Sequence, residues 1–557
     1  MYDYLIVGGG SAGCVLANRL STDPNVKVCL IEAGPADKHP AIHFPFGVLW
    51  MMKSKALNWN YNTEPEKNLN NRKLFWPRGK TLGGSSSSNA MIYMRGHEKD
   101  YDHWSALGNK GWSFKEILPY FKKGQHQERG SDEFHGTNGP LNVQDIEVRN
   151  PLCSAFVDAG VQAGLKENKD FNGAQQEGVG FYQVTQKLGR RWSSAMAYLR
   201  PAEPRKNLTI ISDAHVCHVD FNDSENPKRA TGVTYRAKGF TTSASAQREV
   251  ILCGGALNSP QLLMLSGIGE KQELEKHGLQ VKHELNGVGK NLQDHLDIML
   301  IYKCTKAVSY GITFRNLVTH PLYNLYEHFV KHRGYLSSNG TESGGFFKSD
   351  PSQDIPDMQY HFCCLKMRDH TRDWKFLLGE GYSLHVCDLR PKSRGKISLN
   401  SSNPMDHARI DANYLSDPQD MEKMIKGVKA GLELLGQPAL DQYRGKRLVP
   451  SYELNDDEDI RQFIHEAAET IYHPVGTCKM GNDDMAVVND RLQVHGIEGL
   501  RVVDASIMPT LIGGNTNAPT MAIAEKAADM ILEDAFSSKL AETNLLSRNK
   551  SEDVVAV

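Results

Sequence analysis

The chain has 557 residues, with 64 Lys plus Arg against 66 Asp plus Glu, and 40% of its residues are hydrophobic. This length exceeds what one hydrophobic core usually serves, so two large domains are expected. The balanced charge argues against a nucleic-acid partner, and the absence of any run of 18 apolar residues argues against a transmembrane helix. The ten cysteines lack CxxC or zinc spacings, which indicates reduced thiols in a cytoplasmic protein without a metal site.

The first 32 residues carry the strongest pattern in the chain. An apolar run at 4–7 predicts a buried parallel strand, and residues 8–13 then form a G-x-G-x-x-G turn that leads into a helix. A second apolar run at 26–31 ends on Glu32. Two strands, a glycine turn, a helix and a terminal acid in this order are typical of a dinucleotide-binding site in a Rossmann-type fold.

This pattern has direct chemical consequences. The helix N-terminus offers free N–H groups and the positive end of a dipole to a pyrophosphate, and Gly10 lets the backbone approach it. Glu32 is placed to accept hydrogen bonds from a ribose and disfavours a 2′-phosphate, so NADP is not expected. NAD and FAD both remain open at this point. The strand begins directly after Met1, so no signal peptide is expected.

The next segments connect to this site in different ways. Residues 33–75 are loop-rich and either wrap over a cofactor or form a surface excursion. Residues 83–88 place two glycines and four serines between apolar neighbours, which favours a nest of N–H and hydroxyl groups over a flexible linker. Residues 100–122 and 151–165 are predicted to be helical.

From residue 179 the pattern changes to strands, the last of which is 249–253. Glycines follow it directly, and a helix is predicted at 259–265 with Pro260 in its first turn. This is a return to the nucleotide-binding sheet. Residues 300–465 lack glycine-rich nucleotide signals and are predicted to form a second domain. Within it, 316–333, which contains His320, is an amphipathic lid, a membrane-facing helix or an ordinary surface helix.

Near the C-terminus the chain returns to the first domain. A buried strand at 500–505 and a helix at 519–536 are predicted, followed by a polar tail at 537–557. Asn515 and Asn517 precede that helix, whose N-terminus suits a cofactor group that becomes negative on reduction. A histidine beside such a group, such as His473, is able to take the proton of an alcohol.

Four separate motifs together resemble the glucose–methanol–choline (GMC) oxidoreductases. Residues 79–102 look like the first signature of that family, and residues 255–269 match the second at every position. The His473-Pro474 pair and the segment 515–517 match the family's catalytic region. Because the four motifs occur in the right order, the resemblance is specific over about residues 1–536.

The resemblance implies FAD as the cofactor and an α/β (α+β) fold. A Rossmann-like FAD-binding domain would be assembled from the discontinuous segments 1–155, 195–300 and 466–536. A substrate-binding domain, with a mainly antiparallel sheet and flanking helices, would comprise 156–194 and 301–465.

The resemblance also implies roles for individual residues. His473 would be the general base that permits hydride transfer to flavin N5, and Asn515 would hydrogen-bond the alcohol oxygen. Ser88 stands where the choline oxidase branch has a histidine bonded covalently to the flavin. Serine cannot form that bond, so non-covalent FAD is expected. The remaining residues expected to contact FAD are Gly8, Gly10, Ser11, Ala12, Gly13, Glu32, Ala33, Trp59, Arg78, Gly83, Gly84, Ser85, Asn89, Ala90, Met91, Ile92, Val216, Cys253, Gly254, Tyr472, Asp504, Ala505, Asn515, Asn517, Pro519 and Thr520.

Within the family, stretches such as 74–80, 180–186 and 389–395 are most similar to bacterial alcohol dehydrogenases of the alkane-utilisation type. This implies oxidation of a primary, aliphatic alcohol to the aldehyde, with electrons passed to a quinone or another acceptor that is not oxygen. A cytoplasmic protein is expected, and peripheral contact with the inner membrane stays open. Choline dehydrogenase, an oxygen-using alcohol oxidase, a hydroxynitrile lyase and a non-catalytic flavin-binding protein remain the alternatives, and the oligomeric state stays open.

Overall fold

The computed structural model describes residues 1–555 except 148, 223, 225–227, 314–315, 317–320 and 370–371. In chain order, the strands of this region are β1 Tyr2–Val7, β2 Val28–Ile31, β3 Tyr61–Asn62, β4 Phe75–Trp76, β5 Gln125–Gln127, β6 Leu141–Val143, β7 Gly178–Phe181, β8 Gln186–Lys187, β9 Arg190–Arg191, β10 Leu208–Ile211, β11 Ala214–Asn222, β12 Lys228–Ala237, β13 Phe240–Leu252, β14 Ile268–Gly269, β15 His283–Glu284, β16 Leu296–Cys304, β17 Ser343–Phe347, β18 Met358–Cys363, β19 Gly381–Asp388, β20 Lys396–Ser398, β21 Arg409–Asp411, β22 Arg444–Val449, β23 Glu469–Thr470, β24 Ile497–Glu498 and β25 Leu500–Val502. The helices are α1 Ser11–Leu20, α2 Pro40–His43, α3 Val48–Met51, α4 Glu98–Ala106, α5 Phe114–Gly124, α6 Pro151–Gln162, α7 Arg200–Ala202, α8 Gly255–Leu265, α9 Lys271–Lys276, α10 Pro321–Phe329, α11 Pro418–Leu435, α12 Asp457–Ala467 and α13 Asn517–Val555.

The first large sheet has eight strands in the order β10-β2-β1-β13-β12-β11, with β25 paired to β13 and β24 to β12. The pairs β10–β2, β2–β1, β1–β13 and β13–β25 are parallel. Strands β1 and β2 are rich in buried Val, Ile and Leu because helices cover them; α1 packs on both, and α13 packs on α1. The parallel strands therefore end at one common edge, where ligands bind in open α/β sheets.

The second large sheet has seven strands in the order β22-β16-β19-β18-β17-β7, with β23 paired to β16. Every pair in it is antiparallel. Helix α11 packs on β19, and α6 packs on β17 and β7. The predicted fold class, a Rossmann-type sheet combined with a mainly antiparallel sheet and flanking helices, is confirmed.

Two helix predictions in the first half of the chain were wrong in their bounds. Residues 100–122 form two helices, α4 and α5, because Gly108 and Gly111 between them have φ of +96° and +83°. Helix α8 begins at Gly255, four residues earlier than predicted, and carries Pro260 in its interior. Pro260 has no N–H to donate to the Ala256 carbonyl four residues earlier. That carbonyl instead accepts a hydrogen bond from the Thr477 hydroxyl at 2.6 Å.

The C-terminal helix also differs from its prediction. Helix α13 starts at Asn517 and continues to Val555, where a polar tail was expected after residue 536. Residues 537–555 contain no glycine or proline, so nothing in the sequence stops the helix. The buried Glu525 carboxylate accepts two hydrogen bonds from Arg19 of α1, which holds α13 against the nucleotide-binding sheet.

The segment predicted as a lid or membrane-facing helix is only partly described. Helix α10 occupies Pro321–Phe329, whereas residues 317–320, which include His320, lie outside the described residues. No helix in the described part of the chain is both long enough and apolar enough to cross a bilayer.

Candidate active site

One cavity joins the edge of the first sheet to the second sheet. Gly8, Glu32 and Asp504 line it beside the ends of the parallel strands, and His473 and Asn515 line it beside the antiparallel sheet. Every residue expected to contact FAD lines this cavity except Gly13, Gly83 and Pro519.

Gly13 and Gly83 act behind the cavity wall. A Cβ on Gly13 would lie 1.9 Å from the Gly8 carbonyl oxygen, so this glycine allows α1 to pack closely on the turn. Gly83 has φ of +87°, and its N–H donates to the Gly9 carbonyl at 2.7 Å. Pro519 lies in the first turn of α13. These three residues do not line the cavity but support the turns and the helix that form its wall.

The dinucleotide end of the cavity fits the pyrophosphate of FAD. Helix α1 has no side-chain cap and no acid in its first turn, so its free N–H groups face the cavity. A Cβ built on Gly10 would have no protein atom nearer than 4.0 Å, which shows open space against the backbone. Positive dipole, free donors and this space suit a bound phosphate.

Two carboxylates at the dinucleotide end of the cavity accept hydrogen bonds from backbone N–H groups of the protein. The Glu32 carboxylate accepts the N–H groups of Gly9 and Gly34, each at 2.7 Å. Burial raises the pKa of Glu32 to about 7, although both hydrogen bonds oppose this shift. Only its remaining lone pairs are available to a ribose. The Asp504 carboxylate accepts the N–H of Gly255 and is likewise used internally.

The Gly/Ser loop predicted as a nest is held by its own hydroxyls and by a buried arginine. The Ser87 hydroxyl donates to the Leu82 carbonyl at 2.8 Å, and the Ser86 hydroxyl donates to the Gly83 carbonyl at 2.6 Å. Arg191 donates to the carbonyl and side-chain oxygens of Asn89. Burial lowers the pKa of Arg191 to about 9. These contacts fix the loop against the cavity.

A chain of three groups sets the tautomer of His473. The Leu389 carbonyl lies 3.1 Å from His295 Nε2 and, as an acceptor, requires a proton on that nitrogen. Burial lowers the pKa of His295 to about 3, so the ring is neutral and its Nδ1 carries a lone pair. His473 Nδ1–H therefore donates to His295 Nδ1 across 2.9 Å. His473 Nε2 is left with its lone pair toward the cavity.

Asn515 presents its amide N–H₂ to that lone pair. Its Nδ2 lies 3.2 Å from His473 Nε2, and its Oδ1 accepts from Gln359 Nε2 at 3.4 Å. An amide oxygen facing the His473 lone pair would repel it, so the network selects this orientation. A base and a hydrogen-bond donor thus converge on one point of the cavity.

The backbone that carries His473 is unusual. Tyr472 has φ of +73°, a left-handed conformation that is rare for an aromatic residue. The buried Asp294 carboxylate accepts the His473 N–H at 2.7 Å and the Thr470 hydroxyl at 2.6 Å. Burial raises the pKa of Asp294 to about 6. Burial also lowers the pKa of His473 well below its ordinary value, which keeps the base neutral.

Two further histidines line the cavity from the antiparallel sheet. His361 and His385 are directly opposite each other on β18 and β19. Burial disfavours a charge on His385, but the Asp297 carboxylate at 2.6 Å outweighs it and raises the pKa of His385 to about 10. The buried His361 ring lies close enough to Asn515 for a side-chain hydrogen bond, and burial lowers the pKa of His361 to about 3, so this histidine is neutral.

Sequence reasoning did not identify His295, His361, His385, Asp294 or Arg191. The Asp294-His295 pair directly before the buried strand β16 was the one available signal. His361 and His385 lie far from His473 in sequence and are brought together by strand register, which a single sequence does not reveal.

Comparison with known proteins agrees with this geometry. Models of the GMC oxidoreductase family match residues 2–297 and 391–524. The chain is 52% identical to an alcohol dehydrogenase [acceptor] from Pseudomonas putida, over 97% of both chains. It is 44% identical to human mitochondrial choline dehydrogenase, over 95% of this chain and 89% of that one. The crystal structure of pyridoxine 4-oxidase from Mesorbium loti superposes with a TM-score of 0.85 at 31% identity, covering 95% of this chain and 99% of the other.

The role of His295 as a positioning residue is testable. His295→Ala removes the acceptor for His473 Nδ1–H, so the Nε2 lone pair is no longer held toward the cavity. We expect the rate of flavin reduction by an alcohol to fall about 10- to 100-fold, with FAD content unchanged. His295→Asn, whose amide oxygen is able to accept that N–H, should restore much of the rate in anaerobic stopped-flow measurements. Equal losses in both variants would contradict the role.

Proposed function

This chain belongs to the GMC oxidoreductase family, and from that premise we propose that it oxidises a primary, aliphatic alcohol to the aldehyde. The enzyme is an FAD-dependent oxidoreductase. The observation that carries the proposal is the lone pair of His473 Nε2, which shares one point of the cavity with the Asn515 N–H₂.

The proposed proton path follows from that arrangement. The alcohol oxygen binds between His473 Nε2 and Asn515 Nδ2, and His473 accepts the hydroxyl proton. The Asn515 N–H₂ stabilises the negative charge that develops on the oxygen. His295 keeps the Nδ1 proton of the resulting imidazolium in a hydrogen bond. Bound FAD supplies the acceptor for the hydride that leaves the carbinol carbon.

The cavity wall supports an uncharged, apolar substrate. Among the described residues that line it, the acids are Glu32 and Asp504, and both carboxylates bind backbone N–H groups at the dinucleotide end. No carboxylate is therefore available to a substrate cation such as choline beside His473. Apolar side chains instead contribute to the lining, namely Val48, Leu49, Met52, Leu365, Met367 and Ile471.

The base is tested by substitution. His473→Ala should retain FAD but lose about 10²- to 10⁴-fold in the rate of flavin reduction, because no other group replaces the proton acceptor. The matched control is His103→Ala, which removes an exposed histidine of α4 and should leave the rate unchanged. Near-normal reduction in His473→Ala would remove His473 from the role.

The substrate class is tested with two alcohols of the same shape. Choline and 3,3-dimethylbutan-1-ol differ in the charge of one central atom. We expect the neutral alcohol to have a kcat/KM at least about tenfold higher, because the cation loses hydration without gaining a carboxylate. A preference for choline in a dye-linked assay would favour a choline dehydrogenase instead.

We propose that FAD is bound without a covalent link. Ser88 lines the cavity with its hydroxyl 3.4 Å from the Ser85 carbonyl, and it cannot form a histidyl–flavin bond. Acid precipitation of the holoenzyme should release all the yellow colour into the supernatant. Colour retained on the washed precipitate would contradict this proposal.

We further propose that the electrons pass to a quinone or a similar acceptor, at the cytoplasmic face of the inner membrane. The similarity to a dehydrogenase named for an acceptor supports this choice. Hydrogen peroxide produced at the rate of dye reduction would identify an oxidase instead.

A further inference from the structure

Helix α10 has an inverted distribution of polar and apolar side chains. Its buried positions include the polar residues Glu327 and His328, each less than a tenth exposed. Its exposed side chains are apolar or aromatic, from Leu322, which is 80% exposed, to Phe329 and Val330 at the C-terminal end. The exposed residues, which we call the α10 face, are Leu322, Tyr323, Leu325, Tyr326, Phe329 and Val330. Soluble proteins rarely expose such a contiguous group without a partner for it.

The inward contacts of α10 hold this orientation. Glu327 forms an ion pair with Arg333 at 2.8 Å, and His328 Nδ1 lies 2.8 Å from the Ser337 hydroxyl. The His328 ring also stacks on Phe44 with 4.7 Å between ring centroids. Because His328 is buried against Ser337 and Phe44, and Glu327 is paired with the partly exposed Arg333, rotating the helix to bury the α10 face would break these contacts.

Two neighbouring segments add exposed apolar groups. Trp50, in α3, is half exposed and stacks on His39. Leu188 is 60% exposed at the tip of the β8–β9 hairpin. This tip packs against the segment that directly follows α10, since a Cβ on Gly189 would lie 2.4 Å from the His332 carbonyl oxygen.

The same three segments carry a local excess of positive charge, although the whole chain has a net charge of −2. Residues 39–55 and 186–192 contain no acid, and residues 321–333 contain one, the buried and paired Glu327. The same segments expose five basic side chains, namely Lys53, Lys55, Lys187, Arg190 and Lys331. Aromatic and leucine side chains among lysines and arginines are typical of helices that lie in the interface of an anionic membrane.

The surface adjoins the substrate cavity. The α2–α3 segment, against which His328 packs through Phe44, also supplies Val48, Leu49 and Met52 to the cavity wall. A membrane on this face would therefore lie next to the segment that covers the site.

We propose that the α10 face, together with Trp50 and Leu188, inserts into the interface of an anionic phospholipid bilayer. The inference deepens the proposed function, on which it rests, by naming where lipophilic alcohols and quinones reach the enzyme. The apolar side chains contribute burial among the acyl chains, and the lysines and arginines of the same segments contribute attraction to the headgroups.

The experiment measures co-sedimentation of the holoenzyme with vesicles. Wild type should bind vesicles of phosphatidylethanolamine with phosphatidylglycerol, less at high salt, and bind weakly to phosphatidylcholine alone. The double variant Leu322→Glu/Phe329→Glu should bind the anionic vesicles at least about tenfold more weakly, since two large apolar groups are lost. Lys331→Glu should weaken binding at low salt.

The matched control is Phe240→Glu, because Phe240 is 77% exposed on a different hairpin, between β12 and β13. This variant should bind like wild type. Dye-linked turnover of a short water-soluble alcohol should be the same in all variants. Absence of turnover in wild type would contradict the proposed function, whereas it would not contradict the proposed membrane surface. Equal vesicle binding by the double variant and wild type would overturn the proposed membrane surface. The proposal would also be overturned if wild type did not bind vesicles and formed a dimer that the double substitution dissociated.

Discussion

The hydrogen bond from His473 Nδ1 to His295 Nδ1 is the interaction on which the proposed chemistry depends. A neutral histidine has one proton to place, and this 2.9 Å contact assigns it to the nitrogen that faces away from the cavity. His295 occurs directly before β16, and the Leu389 carbonyl that holds it follows β19, so the base is set by the register of the antiparallel sheet. Asn515, which lies two residues before α13, completes the pair, and α13 packs on α1 of the first sheet. Elements packed on both large sheets therefore meet at one reacting point.

The nucleotide-binding half of this arrangement was predictable because its pattern is local. Glycines at 8, 10 and 13, an apolar strand on each side and Glu32 all lie within 32 residues, and they fold together as predicted. His473 and Asn515 were found by resemblance to a family. The groups that orient them were not predictable in this way: His295, Gln359 and Leu389 reach the site through strand pairing, and the left-handed Tyr472 has no signature in sequence. The same limit applies to α8, where the Ala256 carbonyl opposite Pro260 accepts its hydrogen bond from Thr477, more than 200 residues away.

The two large sheets present different kinds of side chain to the cavity, and the α10 face lies next to the apolar part. The first sheet presents donors and dipoles to a charged cofactor, whereas the second sheet and the α2–α3 segment present apolar side chains and histidines. Lipophilic substrates and acceptors have low concentrations in water, so an enzyme that uses them gains from an entrance next to lipid. The inverted polarity of α10 is consistent with such an entrance, because the helix buries Glu327 and His328 and leaves its apolar side chains exposed.

The proposed function requires that a primary alcohol reduces FAD bound in this cavity. Anaerobic titration of the oxidised holoenzyme with a primary aliphatic alcohol, followed by flavin absorbance and aldehyde analysis, tests it most directly. We expect bleaching of the flavin band, with one aldehyde formed for each FAD reduced. A flavin that stays oxidised with every primary alcohol, or bleaching without aldehyde, would contradict it.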